Sequence, residues 1–390
     1  MSGEGNAVAH WIFTEDHRRF RERVRQFVAD EVMPHVEEWE QKGAVPREFF
    51  LRCGELGFLG LKFPAAYGGS EQGYIAEAIF IEELSKCGSG GVAAAIGAHA
   101  NIAITPVWKY GNEQQKQKYL APGIRGEMIA ALGITEPNAG SDVAGMATTA
   151  RRVGDEYILN GSKIFITNGV QADYVCVAAK TDPSRGHRGV SMFIVESGWP
   201  GFKVGKSLKK LGWRASDTAE LIFEDVRVPA ENLLGEENQG FYYIMSNFQW
   251  ERIWLALFSV AQAERALEDA LAFVKQLKGG SPSTALEGKR QLLADMAVDV
   301  EKARHLTYHA LYKFARGDDA VVETTMAKAY AGEMVRRVTD LALQIFAETG
   351  YAMDSPVQRH WRDARIQSIG GGTTQIMYEI LAKRLELTKA

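Results

Sequence analysis

The chain has 390 residues, 46% hydrophobic and 24% charged, and 45 lysines and arginines against 49 aspartates and glutamates give a net charge of −4. That length holds two or three layers or domains around a large core. An acidic balance with no basic tract excludes recruitment to nucleic acid or to an anionic membrane by charge alone.

Residues 14–42 put Phe20, Val24, Phe27 and Val28 on one helical stripe, with Thr14, Glu15 and Asp16 as a start signal and Pro34 as an interruption. Further helical stretches are expected at 47–57, 74–87 and 113–120, separated by AAYGGS and CGSGG. The run CGSGGVAAAIG, 87–97, offers glycines for a dinucleotide loop, but it follows a helical segment rather than a strand and reads as helix punctuation. Its small residues Ala93, Ala94, Ala95 and Gly97 either border a roomy pocket, suited to long, branched or cyclic groups, or mark close packing.

Near residue 130 the texture changes. EYILNGSKIFIT, DYVCVAAK, GVSMFIVES and AELIFEDVRVP are short β-branched and aromatic runs bounded by Gly, Asn and Asp, the signature of a compact β unit rather than of βαβ alternation. From about 240 the helical period returns in three long segments with broad apolar faces, broken by a loop-like KGGSPSTALEG at 278–288. The expected fold is α+β and multidomain, with an N-terminal helical domain over 1–129, a middle β-barrel-like domain over 130–240 and a C-terminal four-helix-type bundle over 241–390.

The cysteines Cys53, Cys87 and Cys176 are too scattered for a disulfide framework or a zinc site and suit a reducing compartment. The histidines form no metal-ligand spacing. The opening MSGEGNAVAH lacks the basic and apolar segments of a leader, and no apolar run approaches a membrane span, so a cytoplasmic protein is expected.

Two stretches carry candidate chemistry. LGITEPNAGSDVAG, 132–145, sets Thr135 and Ser141 hydroxyls and the small Ala139 and Gly140 around a Pro-Asn turn, where backbone N–H groups and hydroxyls can bind a phosphate or a polar ring edge. It is equally an ordinary inter-domain turn. SKIFITNG, 162–169, alternates Phe165 and Thr167 onto one strand face, an aromatic beside a hydroxyl for a planar ligand, or simply a half-buried strand.

Together with GWRASDTAELIFEDVRVPAENLLGEENQGF at 212–241, PVQRHWRDARI and GGGTTQI, these stretches resemble the acyl-CoA dehydrogenase family of flavoproteins over essentially the whole chain. The resemblance implies FAD between the β domain and the C-terminal bundle. Leu132, Ile134, Thr135, Gly140 and Ser141, with Phe165, Ile166 and Thr167, would hold the flavin ring, and Gly372, Thr373 and Gln375 would lie along its adenosine end. Ser141 and Arg252 would meet an acyl-CoA substrate, and Gln344 would contact the cofactor across a subunit interface. The implied reaction is α,β-dehydrogenation to a trans-2-enoyl-CoA, with electrons passed to an electron-transfer flavoprotein by a homotetramer. The alternatives are a non-catalytic subunit of a heteromer and a flavin oxidase on the same fold.

Many members of that family carry their catalytic Glu before the "GT" of this C-terminal motif, where this chain has Gly371. Long-chain and isovaleryl-CoA dehydrogenases instead place it in an "ER" pair on the first long helix after the β domain, which Glu251-Arg252 matches, and the long-chain enzymes share Phe165. Trp250, Ile253, Trp254 and Leu257 flank the pair, so Glu251 is expected at the edge of an apolar, aromatic-lined pocket that raises its pKa; otherwise it is half of a solvated surface pair. Two segments depart from the family. Gln276 and Gly279 stand where an Arg and a Phe grip the pyrophosphate, and Ala347 and Glu348 replace glycines, which opens the choice between homomer and heteromer.

Overall fold

A computed structural model of the chain describes residues 11–277 and 283–386. The first helix, α1 (Glu15–Phe27), is closed at its start by a capping box, in which the Thr14 hydroxyl accepts from the His17 amide and the His17 ring accepts from the Thr14 amide. The path then runs through a π-turn (Val28–Val32) and a 3₁₀ turn holding Pro34 before α2 (Val36–Lys42), so the proline falls where the α ladder is already broken. Helices α3 (Arg47–Glu55), α4 (Gly73–Ser85), α5 (Gly90–Gly97), α6 (Ile104–Tyr110), α7 (Glu113–Gln115) and α8 (Ala121–Ile124) follow.

The CGSGG stretch is the cap of α5, since the Ser89 hydroxyl accepts from the Gly91 amide. A π-turn, Ala98–Ala103, joins α5 to α6. The resulting stretch Gly90–Tyr110 is long and apolar enough to cross a membrane, contrary to the sequence expectation. Its most apolar window is 94% buried inside the protein, which makes it a core helix.

Eight strands form one sheet: β1 (Ala130–Gly133), β2 (Thr149–Val153), β3 (Glu156–Thr167), β4 (Tyr174–Lys180), β5 (Val190–Glu196), β6 (Phe202–Ser207), β7 (Thr218–Pro229) and β8 (Leu233–Leu234). The order is β6-β7-β3-β2-β4-β5-β8, with β1 added in parallel to β4. Most ladders are antiparallel, but β4 also meets β2 in parallel, so the sheet is mixed. Strand β4 is buried on both faces. Val175, Val177 and Ala179 pack with the sheet's own core, whereas Tyr174, Cys176 and Ala178 pack against residues of the first helices. A strand so enclosed reads as a continuous apolar run.

Beyond the sheet, α9 (Gly240–Leu277), α10 (Ser283–Ala315) and α11 (Val321–Phe346) pack side by side, and α12 (Pro356–Ala364) and α13 (Thr374–Arg384) close over α11. Helix α10 starts at Ser283, inside the stretch expected to be a loop.

One carboxylate ties the three parts together. Asp363 of α12 accepts the Gly90 amide at 2.8 Å and the Trp213 amide at 2.7 Å. Gly90 and Gly212 permit this approach, because a Cβ on either would fall 3.1 or 2.7 Å from an Asp363 oxygen. Burial and the neighbouring Glu40 push Asp363 up to about 7.

Candidate active site

A cleft of about 400 Å³ opens where the sheet, α9 and the start of α13 meet, within the range of cavities that hold a cofactor or a small substrate. One wall is Leu132, Ile134 and Thr135 with Gly140 and Ser141 of the following turn. Phe165, Ile166 and Thr167 of β3 form the second. Helix α9 contributes Phe241, Met245, Phe248, Glu251 and Arg252, and Gly371 and Gly372 close the far side.

The turn after β1 is shaped by a residue the motif reading passed over. Glu136 accepts the Ala147 amide at 2.6 Å and the Thr148 amide at 3.0 Å, and pairs with Lys163 at 2.7 Å. Lys163 is fully buried and also donates to the Ile134 carbonyl at 3.1 Å; burial brings it down to about 8. Between Ser162 and Ile164 it carries no sequence signal of burial. This bracket leaves the Thr135, Ser141 and Thr167 hydroxyls without a protein hydrogen bond among the described residues, available to a ligand.

Phe165 sits at a register shift in the β3–β7 ladder, with a φ of 61° that non-glycine residues rarely adopt. The bulge turns its ring outward, 65% exposed, at the cleft rim. A strained backbone presenting an unpacked aromatic ring is a feature of ligand sites rather than of cores.

On the helical side Glu251 is 5% exposed. Asn247, one turn earlier, donates to its Oε1 at 2.6 Å and to the Ile102 carbonyl at 3.3 Å, fixing the carboxylate. Burial pushes the Glu251 pKa up to about 7 against the opposing pull of Asn247, Arg252 and Lys109. The surface-pair alternative is therefore overturned, as Arg252 is also buried, with its Nε unpartnered and its guanidinium 5.9 Å over the Phe248 ring. The aromatic lining differs from the sequence expectation. Phe241 and Phe248 face the cleft, while Trp250 and Trp254 are buried against neighbouring helices.

Opposite Glu251 the backbone carries no side chain. Gly371 and Gly372 have φ of 63° and 98°, and a Cβ on Gly371 would stand 2.1 Å from Leu255 Cδ1. Lys328, brought down to about 8 chiefly by burial, donates to the Gly372 carbonyl and holds this loop.

Of the other expected site residues, Thr373 spends its hydroxyl on the Ile376 amide as the cap of α13, and Gln344 and Gln375 are exposed and do not line the cleft. Ala93, Ala94, Ala95 and Gly97 are buried and border no part of it, so the close-packing reading holds there. Gln276 is exposed at the end of α9, and Gly279 lies outside the described residues. Ala347 has φ 53° and ψ −133°, a region nearly reserved for glycine. Ala347→Gly is expected to stabilise the protein by about 1 kcal/mol, read from a denaturant midpoint at constant slope.

The acyl-CoA dehydrogenase N-terminal domain family matches residues 14–127, the middle domain family 131–226 and the C-terminal domain family 238–386. The chain is 40% identical over 374 residues to a short-chain specific acyl-CoA dehydrogenase of Clostridium acetobutylicum, covering 95% of this chain and 98% of that one. It is 38% identical over 382 residues to the mitochondrial long-chain specific enzyme of Rattus norvegicus, covering 96% and 87%. The solved butyryl-CoA dehydrogenase of Megasphaera elsdenii superposes with a TM-score of 0.91 at 39% identity, over 96% of this chain and 99% of that one.

Proposed function

Because the chain belongs to the acyl-CoA dehydrogenase family and is an FAD-dependent oxidoreductase, we propose that Glu251 is the base that takes the α proton of an acyl-CoA. The observation that carries this is the pairing of a buried carboxylate of pKa about 7 with a bare Gly371 across the cleft. A base is most effective when its pKa lies near the working pH. Phe248, Met245 and Ile102 keep water from the carboxylate and so sustain the raised value.

The residues present fit the cofactor. Three unengaged hydroxyls, an outward-turned aromatic ring and a glycine pair that a Cβ would obstruct line one continuous cleft. Leu132, Ile134, Thr135, Gly140 and Ser141, with Phe165, Ile166 and Thr167, would hold the flavin ring, and Gly372 with Thr373 and Gln375 the adenosine end. FAD, when bound, supplies the acceptor for the hydride that leaves the β carbon. Glu251 takes the proton from the α carbon while Asn247 fixes its orientation, and Arg252 and Ser141 position the thioester. Loss of the proton and the hydride leaves a trans-2-enoyl-CoA.

An electron-transfer flavoprotein is the proposed acceptor. A homotetramer, with a heteromer as the alternative, is the proposed assembly, since exposed Gln344 and Gln375 stand ready for a neighbouring subunit. Three buried free thiols support a cytoplasmic setting.

The test is an anaerobic titration of the FAD-loaded protein with acyl-CoAs of increasing length. Loss of the oxidised flavin band, with the enoyl-CoA recovered, is expected. Retention of the band with every acyl-CoA overturns the reading, and rapid reoxidation by oxygen without an acceptor protein assigns an oxidase instead.

A further inference from the structure

We infer that Trp254 is the floor of the acyl pocket and confines the enzyme to short or compactly branched acyl groups, an inference that rests on the reading of the cleft given above. Glu251 fixes the depth of the α carbon, because its carboxylate must reach that carbon's proton. Trp254 follows one turn further along α9, about 4.5 Å in axial rise. The cleft reaches Ala98, Ile102 and Glu251 and stops short of the indole. Beyond it lies a second void of about 10 Å³, lined by Trp254 with apolar residues such as Phe80, Leu84, Ala93 and Ile96.

The indole fills the gap between α9 and α5. A Cβ on Gly97 would lie 2.2 Å from its Cζ2 and 2.7 Å from its Nε1, so Gly97 is the indole's seat. With its amide oxygen turned toward the ring, Asn101 accepts the Trp254 Nε1–H at 3.0 Å, and its NH₂ group donates to Glu77. Glu77 pairs with Lys62 at 2.6 Å, and Lys62 also donates to the Ala100 carbonyl at 3.2 Å. Both members of that pair are buried. The chain Lys62–Glu77–Asn101–Trp254 therefore anchors the ring from behind. Swinging the indole aside would leave a buried donor and a buried acceptor unpaired, so it acts as a fixed floor and not as a gate.

What this leaves for the substrate is the distance from the reacting bond to the indole face, room for a few carbons. A longer chain has to displace a hydrogen-bonded ring, and a small branch can spread against Ala98 and Ile102. Discrimination arises from volume, since among the described residues no charged group lines the void beyond the indole to select a polar tail.

The test measures kcat/KM for butyryl-, isobutyryl-, dodecanoyl- and palmitoyl-CoA with the FAD-loaded wild type, Trp254→Leu and Asn101→Ala. The wild type is expected to favour the four-carbon substrates over dodecanoyl-CoA by at least about tenfold. Trp254→Leu joins the two voids and is expected to raise the dodecanoyl-to-butyryl ratio by about tenfold or more, with butyryl turnover reduced. Asn101→Ala loosens the indole and shifts the ratio the same way by less, and with the wild-type profile it decides the matter if Trp254→Leu does not fold. A wild type that uses dodecanoyl-CoA as well as butyryl-CoA overturns the floor while leaving acyl-CoA dehydrogenation standing. So does a ratio unmoved in both variants. Failure of every acyl-CoA to reduce the flavin overturns both.

Discussion

Glu251→Gln is expected to lower kcat/KM for dehydrogenation by about 10²- to 10⁴-fold and, in the same protein, to raise stability above neutral pH. The first effect follows from removing the proton acceptor while Asn247 keeps its partner at Oε1. The second follows from linkage. In the folded protein the carboxyl titrates at about 7, against an ordinary value of 4.5. Between those values the unfolded chain releases a proton that the folded chain retains, so the native Glu251 costs stability as the pH rises from 4.5 to 7. The full cost, about 3 kcal/mol, is present above pH 7. An uncharged glutamine avoids it. Denaturant unfolding of wild type and variant should therefore coincide near pH 4 and separate by pH 8, with the variant the more stable. The rising acid limb of the wild-type kcat/KM profile, centred near pH 7, should disappear in the variant. A variant that keeps that limb, or that is less stable at pH 8, removes Glu251 from the base's role.

Asp363→Ala is expected to cost about 2–5 kcal/mol, because it leaves the Gly90 and Trp213 amides without an acceptor in the interior. The loss falls on a junction rather than on one core. Gly90 opens α5, Trp213 belongs to the segment before β7 and stacks on Phe258 of α9 at 5.3 Å, and Asp363 lies on α12. Removing the shared acceptor lets the sheet and the helices shift against each other at the cleft they jointly form. Thermal unfolding is expected to drop by several degrees, and FAD retention through gel filtration to fall with it. Asp363→Asn rescues only part, since an amide offers one acceptor where two N–H groups converge. Wild-type stability together with full FAD retention in the alanine variant would show that the junction is held by other contacts.

The fold was legible where periodicity and punctuation agreed. Strands β3, β4, β5 and β7 were visible as dense β-branched runs between turn residues, and the long helices as broad apolar faces. Strand β1 is four residues including Ala and Gly, β6 carries Lys203 and Lys206 on an exposed edge, and β8 has only two residues. None offers enough alternation to separate it from a loop. Three π-turns were invisible, because a single shifted ladder leaves the apolar spacing almost unchanged. At the site, Glu251 was found through its motif, whereas Asn247, Glu136 and Lys163 required knowledge of what faces what. Trp250 shows the same limit. A helical wheel places it beside Glu251, but it does not tell a face turned to the cleft from one turned to a neighbouring helix.

The π-turn at Ala98–Ala103 makes this wall tolerant of a change in the number of residues. It gives the α5–α6 stretch one residue more than an uninterrupted α-helix would use there. Deleting a single residue within it would return the stretch to a regular α ladder and leave α5 and α6 facing as they do now. Gly97 would keep the indole's seat, and the change would fall on the turn's own residues, among them Ala98 and Ile102 of the cleft wall and Asn101 behind the indole. A single-codon loss in this short segment is therefore a local rewrite of one wall that leaves Glu251, the glycine pair and the opposite walls untouched.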